Sequence, residues 1–138
     1  MFMSGSDGGF EAAKEVFGSI TEGKELWKDL KMKRTVWERV TRIATEHNDP
    51  GTFTAFNGYE WTSAPGPGNN LHRVVIFRDG QDRVNQILPF SAFDSDDPED
   101  LWEFMASYEE KTGGNVLAIP HNGNASNGLM WDDETMSG

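Results

Sequence analysis

The chain has 138 residues, with 12 Lys and Arg against 23 Asp and Glu, three His and no Cys, for a formal net charge of −11. The charge is uneven: residues 1–83 hold 11 bases and 12 acids, whereas residues 84–138 hold one base, Lys111, and 11 acids. This argues against a nucleic-acid module, which needs a basic footprint on phosphates, and against docking on an anionic membrane; the missing Cys excludes disulfides and thiolate metal sites.

Residues 1–9 read as a disordered lead-in, with neither the basic patch nor the apolar stretch of a signal peptide. The longest apolar runs, Val74–Phe77 and Val116–Ile119, fall far short of the ~18 residues that span a bilayer. Residues 10–138 are expected to form a single domain. Helical patterns are predicted over about 10–20 and 22–32, interrupted at Gly18 and Gly23. A further helix over 35–47 would place Val36, Val40 and Ile43 on one face with Trp37 and Ala44 beside it. Asn48-Asp49-Pro50-Gly51 ends it, because proline disfavours helix before it and the other three favour a turn.

Aromatic and β-branched residues predict a strand within Thr52–Ser63, followed by a Pro- and Gly-rich loop over 64–70 and a second strand over Leu71–Phe77. A third extended piece is expected over Val84–Leu88. The helix after it has every terminal signal. Asp97 can cap it, Pro98 fits its first position, and Glu99 and Asp100 complement its dipole. Leu101, Phe104, Met105 and Tyr108 share a face, and Gly113-Gly114 supplies the stop. Asn115–Ile119 then reads as a strand buried on both faces. Helices alternating with strands predict an α/β fold. Pro120-His121-Asn122-Gly123-Asn124 would lie past the carboxyl end of that strand, where such folds build their sites.

The histidines separate by context. His47 sits at a helix C-terminus, where a cation complements the dipole. His72 alternates with Leu71 and Arg73 and so faces away from both. His121 heads a polar loop. Glu60, between Tyr59 and Trp61, is costly to bury without a partner. It could pair with Arg73 or Arg78, act as an acid of raised pKa, or coordinate a metal. Two neutral histidines and one carboxylate suit Zn²⁺ or Mn²⁺, although such scattered ligands follow no local spacing rule. The acidic run Asp94, Asp96, Asp97, Glu99, Asp100 lacks the EF-hand spacing and reads as helix capping. No P-loop or G-x-S-x-G elbow is present.

Six strings occur in order: Asn48 to Phe53, Tyr59 to Ser63, Gly68 to Arg73 with Ile76 to Gly80, Leu88 to Ser91, Asp97 to Trp102, and Ile119 to Asn124. From about Trp37 to Met130 the chain closely resembles the bacterial family catalogued as domain of unknown function 3604. That family is similar to the PHP (polymerase and histidinol phosphatase) metal-dependent phosphoesterases. The resemblance implies a distorted β/α barrel, with Glu60 bridging two metal ions and His72 and His121 as ligands. The metals would be divalent Zn, Mn or Fe. It also implies a phosphoester or other small-molecule substrate, with catalysis centred on Glu60 and His121. Beside it, Asn70, Asn122 and Asn124 could orient ligands or substrate, and Arg73 is a candidate anion clamp for substrate or the partner of a nearby acid. PHP sites additionally use an upstream His-x-His and a downstream Asp-x-His. Neither can exist here, since the one remaining histidine is His47. A TIM-like barrel also takes ~250 residues. The chain is therefore expected to be a central piece of a partial PHP-like α/β domain, inactive alone. Two alternatives stand beside this: a glycosidase with Glu60 as general acid and Trp61 as a sugar platform, and a non-catalytic binding or scaffold piece.

Overall fold

The computed structural model describes residues 29–66 and 68–132, together with 9–11, 14, 15, 18, 19, 22 and 25. Of the lead-in expected over 1–9, residues 1–8 lie outside this description, and Gly9 is helical. Residues 10, 11, 14, 15, 18 and 19 are helical as expected, whereas 22, 25 and 29 are not. Of the described residues in the helix foreseen over 22–32, only 30–32 are helical, and they belong to the first turn of the next element.

Helix α1, Leu30–His47, begins at Asp29, whose side chain accepts from the Lys31 amide. It ends at Asn48, and the chain turns through Gly51 at a left-handed φ of +94°. Its buried residues are Trp37 and Thr41. Val36, Val40 and Ile43, the expected inner face, are instead exposed. Trp37 decides the orientation: its ring meets Tyr59 and Phe77 edge-on at 6.1 and 6.2 Å, and its indole N–H donates to the Val84 carbonyl at 3.2 Å. Arg34 donates to the carbonyls of Asn85 and Ile87. The short helix α2 spans Gln81–Val84, and, with the carbonyls of Val84, Asn85 and Ile87 taken by α1, the segment foreseen as extended over Val84–Leu88 ends that helix and continues as a turn.

Strands β1 (Asn57–Trp61), β2 (Arg73–Phe77) and β3 (Val116–Pro120) form one sheet in that order, antiparallel throughout. Gly58 allows close approach within it, since a Cβ there would stand 2.7 Å from the Val75 carbonyl oxygen. The fold is thus mixed α/β. The sheet is open, and the described residues close no barrel. Helix α3, Pro98–Thr112, lies between β2 and β3. It carries the expected cap (Asp97 accepts from the Glu99 amide at 2.9 Å), the proline in its first turn and a left-handed Gly113 at its end.

Strand alternation places Trp61, Arg73, Val75 and Phe77 on the covered face, with Leu71, Val84, Leu101 and Tyr108 completing the core around Trp37. The other face is open. Leu117 and Ile119 are 51% and 47% exposed there, so β3, an edge strand by the sheet order, is not the doubly buried strand foreseen. Asp79 ties the elements together at the far end of β2. Its carboxylate accepts from the Tyr108 hydroxyl (3.0 Å), the Asn115 amide (2.7 Å) and Arg83 (2.8 Å), joining β2, α2, α3 and the approach to β3.

Candidate metal centre

In this antiparallel sheet the carboxyl end of β1, the amino end of β2 and the carboxyl end of β3 coincide. Glu60 pairs with Val74, and Val74 with Ile119, so all three point to the open face. His72 precedes β2 and lies two residues before Val74; His121 follows β3, two residues beyond Ile119. Period-two alternation brings both imidazoles to the same face and end as Glu60. The backbone fixes their spacing, because the His121 amide donates to the His72 carbonyl at 3.2 Å and the His72 amide donates to Asn70 Oδ1 at 3.1 Å.

The side chains converge. His72 Nδ1 lies 2.9 Å from Glu60 Oε1, and His121 Nε2 lies 3.6 Å from the same oxygen. The two imidazole rings stand nearly perpendicular with centroids 5.8 Å apart. Thr62 donates to Glu60 Oε1 at 3.5 Å. One donor atom from each of Glu60, His72 and His121 falls within 4.8 Å of the others. Tetrahedral zinc with ligands at ~2.1 Å spaces its donors about 3.4 Å apart, a separation that small side-chain adjustments reach from here. The donor chemistry also fits, two imidazole nitrogens and a carboxylate suiting Zn²⁺, Mn²⁺ or Fe²⁺. His121 Nε2 adds to the fit: the atom is buried and has no hydrogen-bond partner, as is also true of Asn57 Oδ1, the Tyr59 hydroxyl and Trp61 Nε1, but it alone of these is a metal-ligating nitrogen beside a carboxylate. Buried polar atoms are nearly always partnered, and an exception calls for an explanation. A metal ion is one.

Other candidate residues lie elsewhere. Arg73 faces the core, 7% exposed, with its guanidinium 5.8 Å from the Trp61 ring and 5.0 Å from the Trp102 ring. It donates to the Leu71 carbonyl at 2.7 Å, and burial lowers its pKa from the usual arginine range. Arg73 and Glu60 thus occupy opposite faces of the sheet, and the partner that Glu60 finds is His72. Trp61 is fully buried and presents no face to a sugar. Asn122 and Asn124 are exposed in the loop beyond His121, Asn122 at a left-handed φ of 57°. His47 is exposed, its Nδ1 2.9 Å from the Ile43 carbonyl, in the helix-end role expected of it. Sequence reasoning missed Asn69 and Asn127, whose side-chain amides meet at 2.6 Å between the segments that lead to His72 and away from His121. The available signal was an asparagine before Gly128 that could adopt a left-handed backbone.

Fold and site define an α/β protein with a two-histidine, one-carboxylate candidate metal centre on the open end of a sheet. The family described as Protein of unknown function (DUF3604) matches residues 9–138, and the chain belongs to that family. No curated protein and no solved structure matches the chain. Among the described residues no helix is long and apolar enough to cross a membrane.

Proposed function

We propose that Glu60, His72 and His121 hold a divalent metal ion and that the centre belongs to a hydrolase acting on phosphoesters or related small molecules, of the kind found in PHP phosphoesterases. The observation that carries the reading is the buried, unpartnered Nε2 of His121 beside the Glu60 carboxylate. A bound divalent ion would lower the pKa of a coordinated water and polarise a phosphoryl oxygen.

The chain's own residues do the positioning. Asn70 and the His121-to-His72 backbone bond fix the imidazoles, and Thr62 orients the Glu60 carboxylate. Glu60 is the ligand suited to reach a second ion, being a carboxylate with two oxygens and a side chain 46% exposed. Asn122 and Asn124 are candidate substrate contacts, projecting from the exposed loop that His121 opens. Arg73 is assigned to the core and not to substrate. A metal-centred reading is preferred to the glycosidase alternative because Trp61 is fully buried and cannot stack on a sugar.

The test is hydrolysis of p-nitrophenyl phosphate and bis(p-nitrophenyl) phosphate by a longer family member that retains these three residues. Chelation should abolish turnover, added Zn²⁺ or Mn²⁺ should restore it, and Glu60→Gln should lower kcat at least a hundredfold. Activity that survives thorough chelation would sink the reading and favour metal-free acid–base chemistry.

A further inference from the structure

Two histidines at the ends of different strands make one site only while the loops that carry them keep a fixed separation. His72 enters β2 from the loop at 68–71, and His121 leaves β3 into a 3₁₀ turn, Gly123–Ala125, that continues to Asn127. These two loops are sewn together. The Asn70 amide donates to the Ala125 carbonyl at 3.0 Å. The Asn127 side-chain amide donates to Asn69 Oδ1 at 2.6 Å and to the Gly68 carbonyl at 3.3 Å. Asn127 has φ 53°, a left-handed conformation that asparagine tolerates better than most residues. The buried Ser126 hydroxyl sets up the turn behind it, donating to the Gly123 carbonyl and accepting from the Met130 amide.

We propose that Asn127 is a positioning residue of the metal centre: its amide clamps the loop at 68–70 to the turn at 123–127 and thereby holds rigid the separation of His72 and His121 that the backbone bond between them sets. The inference rests on the reading of those histidines as metal ligands. The amide bridge is solvent-exposed. Its loss therefore loosens the two ligands relative to each other without opening the core. A site that must be ordered on binding gives up affinity to that ordering.

Isothermal titration of the full 138-residue chain with Zn²⁺, alongside melting of the metal-free protein, tests this. Asn127→Gly keeps the left-handed backbone unstrained and removes only the amide. The expected result is a Zn²⁺ Kd weakened about tenfold, as for other supports of metal ligands, with a nearly unchanged melting temperature. Asn69→Ala, which removes the acceptor from the other side, should give a similar loss. The double variant should lose less than the sum of the two single losses, since both delete the Asn127–Asn69 contact, while Asn127 alone also bonds the Gly68 carbonyl and Asn69 alone the Pro65 carbonyl. Native-like Zn²⁺ affinity in Asn127→Gly, fully additive losses in the double variant, or an affinity loss matched by a lowered melting temperature overturns the proposal. Failure of the underlying metal reading looks different: the unaltered chain itself then takes up no Zn²⁺, and the clamp loses its object.

Discussion

His121 Nε2 lies 3.6 Å from Glu60 Oε1, buried and without a hydrogen-bond partner. Leaving a buried polar atom unsatisfied costs about 1–3 kcal/mol; Asn57 Oδ1, the Tyr59 hydroxyl and Trp61 Nε1 are likewise without a partner, but His121 Nε2 is the one of the four that stands where two histidines and a carboxylate meet. An ion seated there relieves that cost.

Metal should therefore stabilise the folded chain. At Zn²⁺ concentrations a hundredfold above Kd the gain is about 2.7 kcal/mol, or roughly 10 °C in melting temperature for a chain of this size. Glu60→Gln should remove most of that shift while leaving the metal-free melting temperature nearly unchanged, since the Glu60 side chain is 46% exposed. Scanning fluorimetry with and without Zn²⁺ reads both. An equal shift in the variant would mean that the ion binds elsewhere.

Arg73 should behave as a core residue. Its guanidinium lies over the Trp61 and Trp102 rings, and its stem is buried. Arg73→Ala is expected to cost about 3 kcal/mol, from lost cation–π attraction and packing together, with Zn²⁺ affinity preserved. Arg73→Lys should not rescue it fully, because an ammonium does not stack as a planar guanidinium does. Urea denaturation and metal titration measure the two effects separately; lost affinity without lost stability would return Arg73 to the site.

Asp79 should make the chain acid-sensitive. Burial alone would raise its pKa, but hydrogen bonds from the Asn115 amide, Arg83 and Tyr108 outweigh it and hold the carboxyl below its ordinary range. The Tyr108 hydroxyl responds in the opposite sense, pushed up to about 12 by burial and by its bond to Asp79. A depressed folded-state pKa contributes stability that is fully present above the unfolded value, ~3.9 for Asp, and is lost as pH falls through the folded one. Asp79→Asn is thus expected to be less stable than the native chain by about 2 kcal/mol at pH 7. The gap should narrow below about pH 4. Denaturation midpoints at neutral and acid pH provide the check, and a gap independent of pH would contradict the assignment.

Much of the fold was legible where local chemistry decides the outcome. Asp97, Pro98 and Gly113 bracket α3 because caps and helix-compatible backbones are local properties. His72 was placed opposite Leu71 and Arg73 by strand alternation, which needs no knowledge of the partner strand. Long-range choices were not legible. Val36, Val40 and Ile43 form as good a helical stripe as Trp37 and Thr41, and what buries the latter is a tryptophan bond to Val84, 47 residues away. The segment after Val84 was misread for the same reason, since its carbonyls are captured by Arg34 and Trp37. Apolar Leu117 and Ile119 implied burial on both faces, yet β3 is an edge strand whose outer face is open.

The site was legible in part. Glu60, His72 and His121 were singled out from residue type and context, but no spacing rule joins positions 60, 72 and 121. Antiparallel pairing joins them, by placing two strand ends and one strand start together. The carboxyl-end argument, drawn from parallel sheets, pointed to the loop that His121 heads, which antiparallel pairing brings beside Glu60 and His72 for a different topological reason. Asn127 escaped notice because its role depends on Asn69, a contact 58 residues away.

The most direct test of the metal centre is the Zn²⁺ stoichiometry of the metal-stripped 138-residue chain, measured by titration and by elemental analysis after dialysis. The arrangement of Glu60, His72 and His121 predicts one tightly held ion per chain, with affinity falling at least a hundredfold in both His72→Ala and His121→Ala. A chain that retains no ion, or variants that retain it as tightly as the native protein, would contradict the assignment.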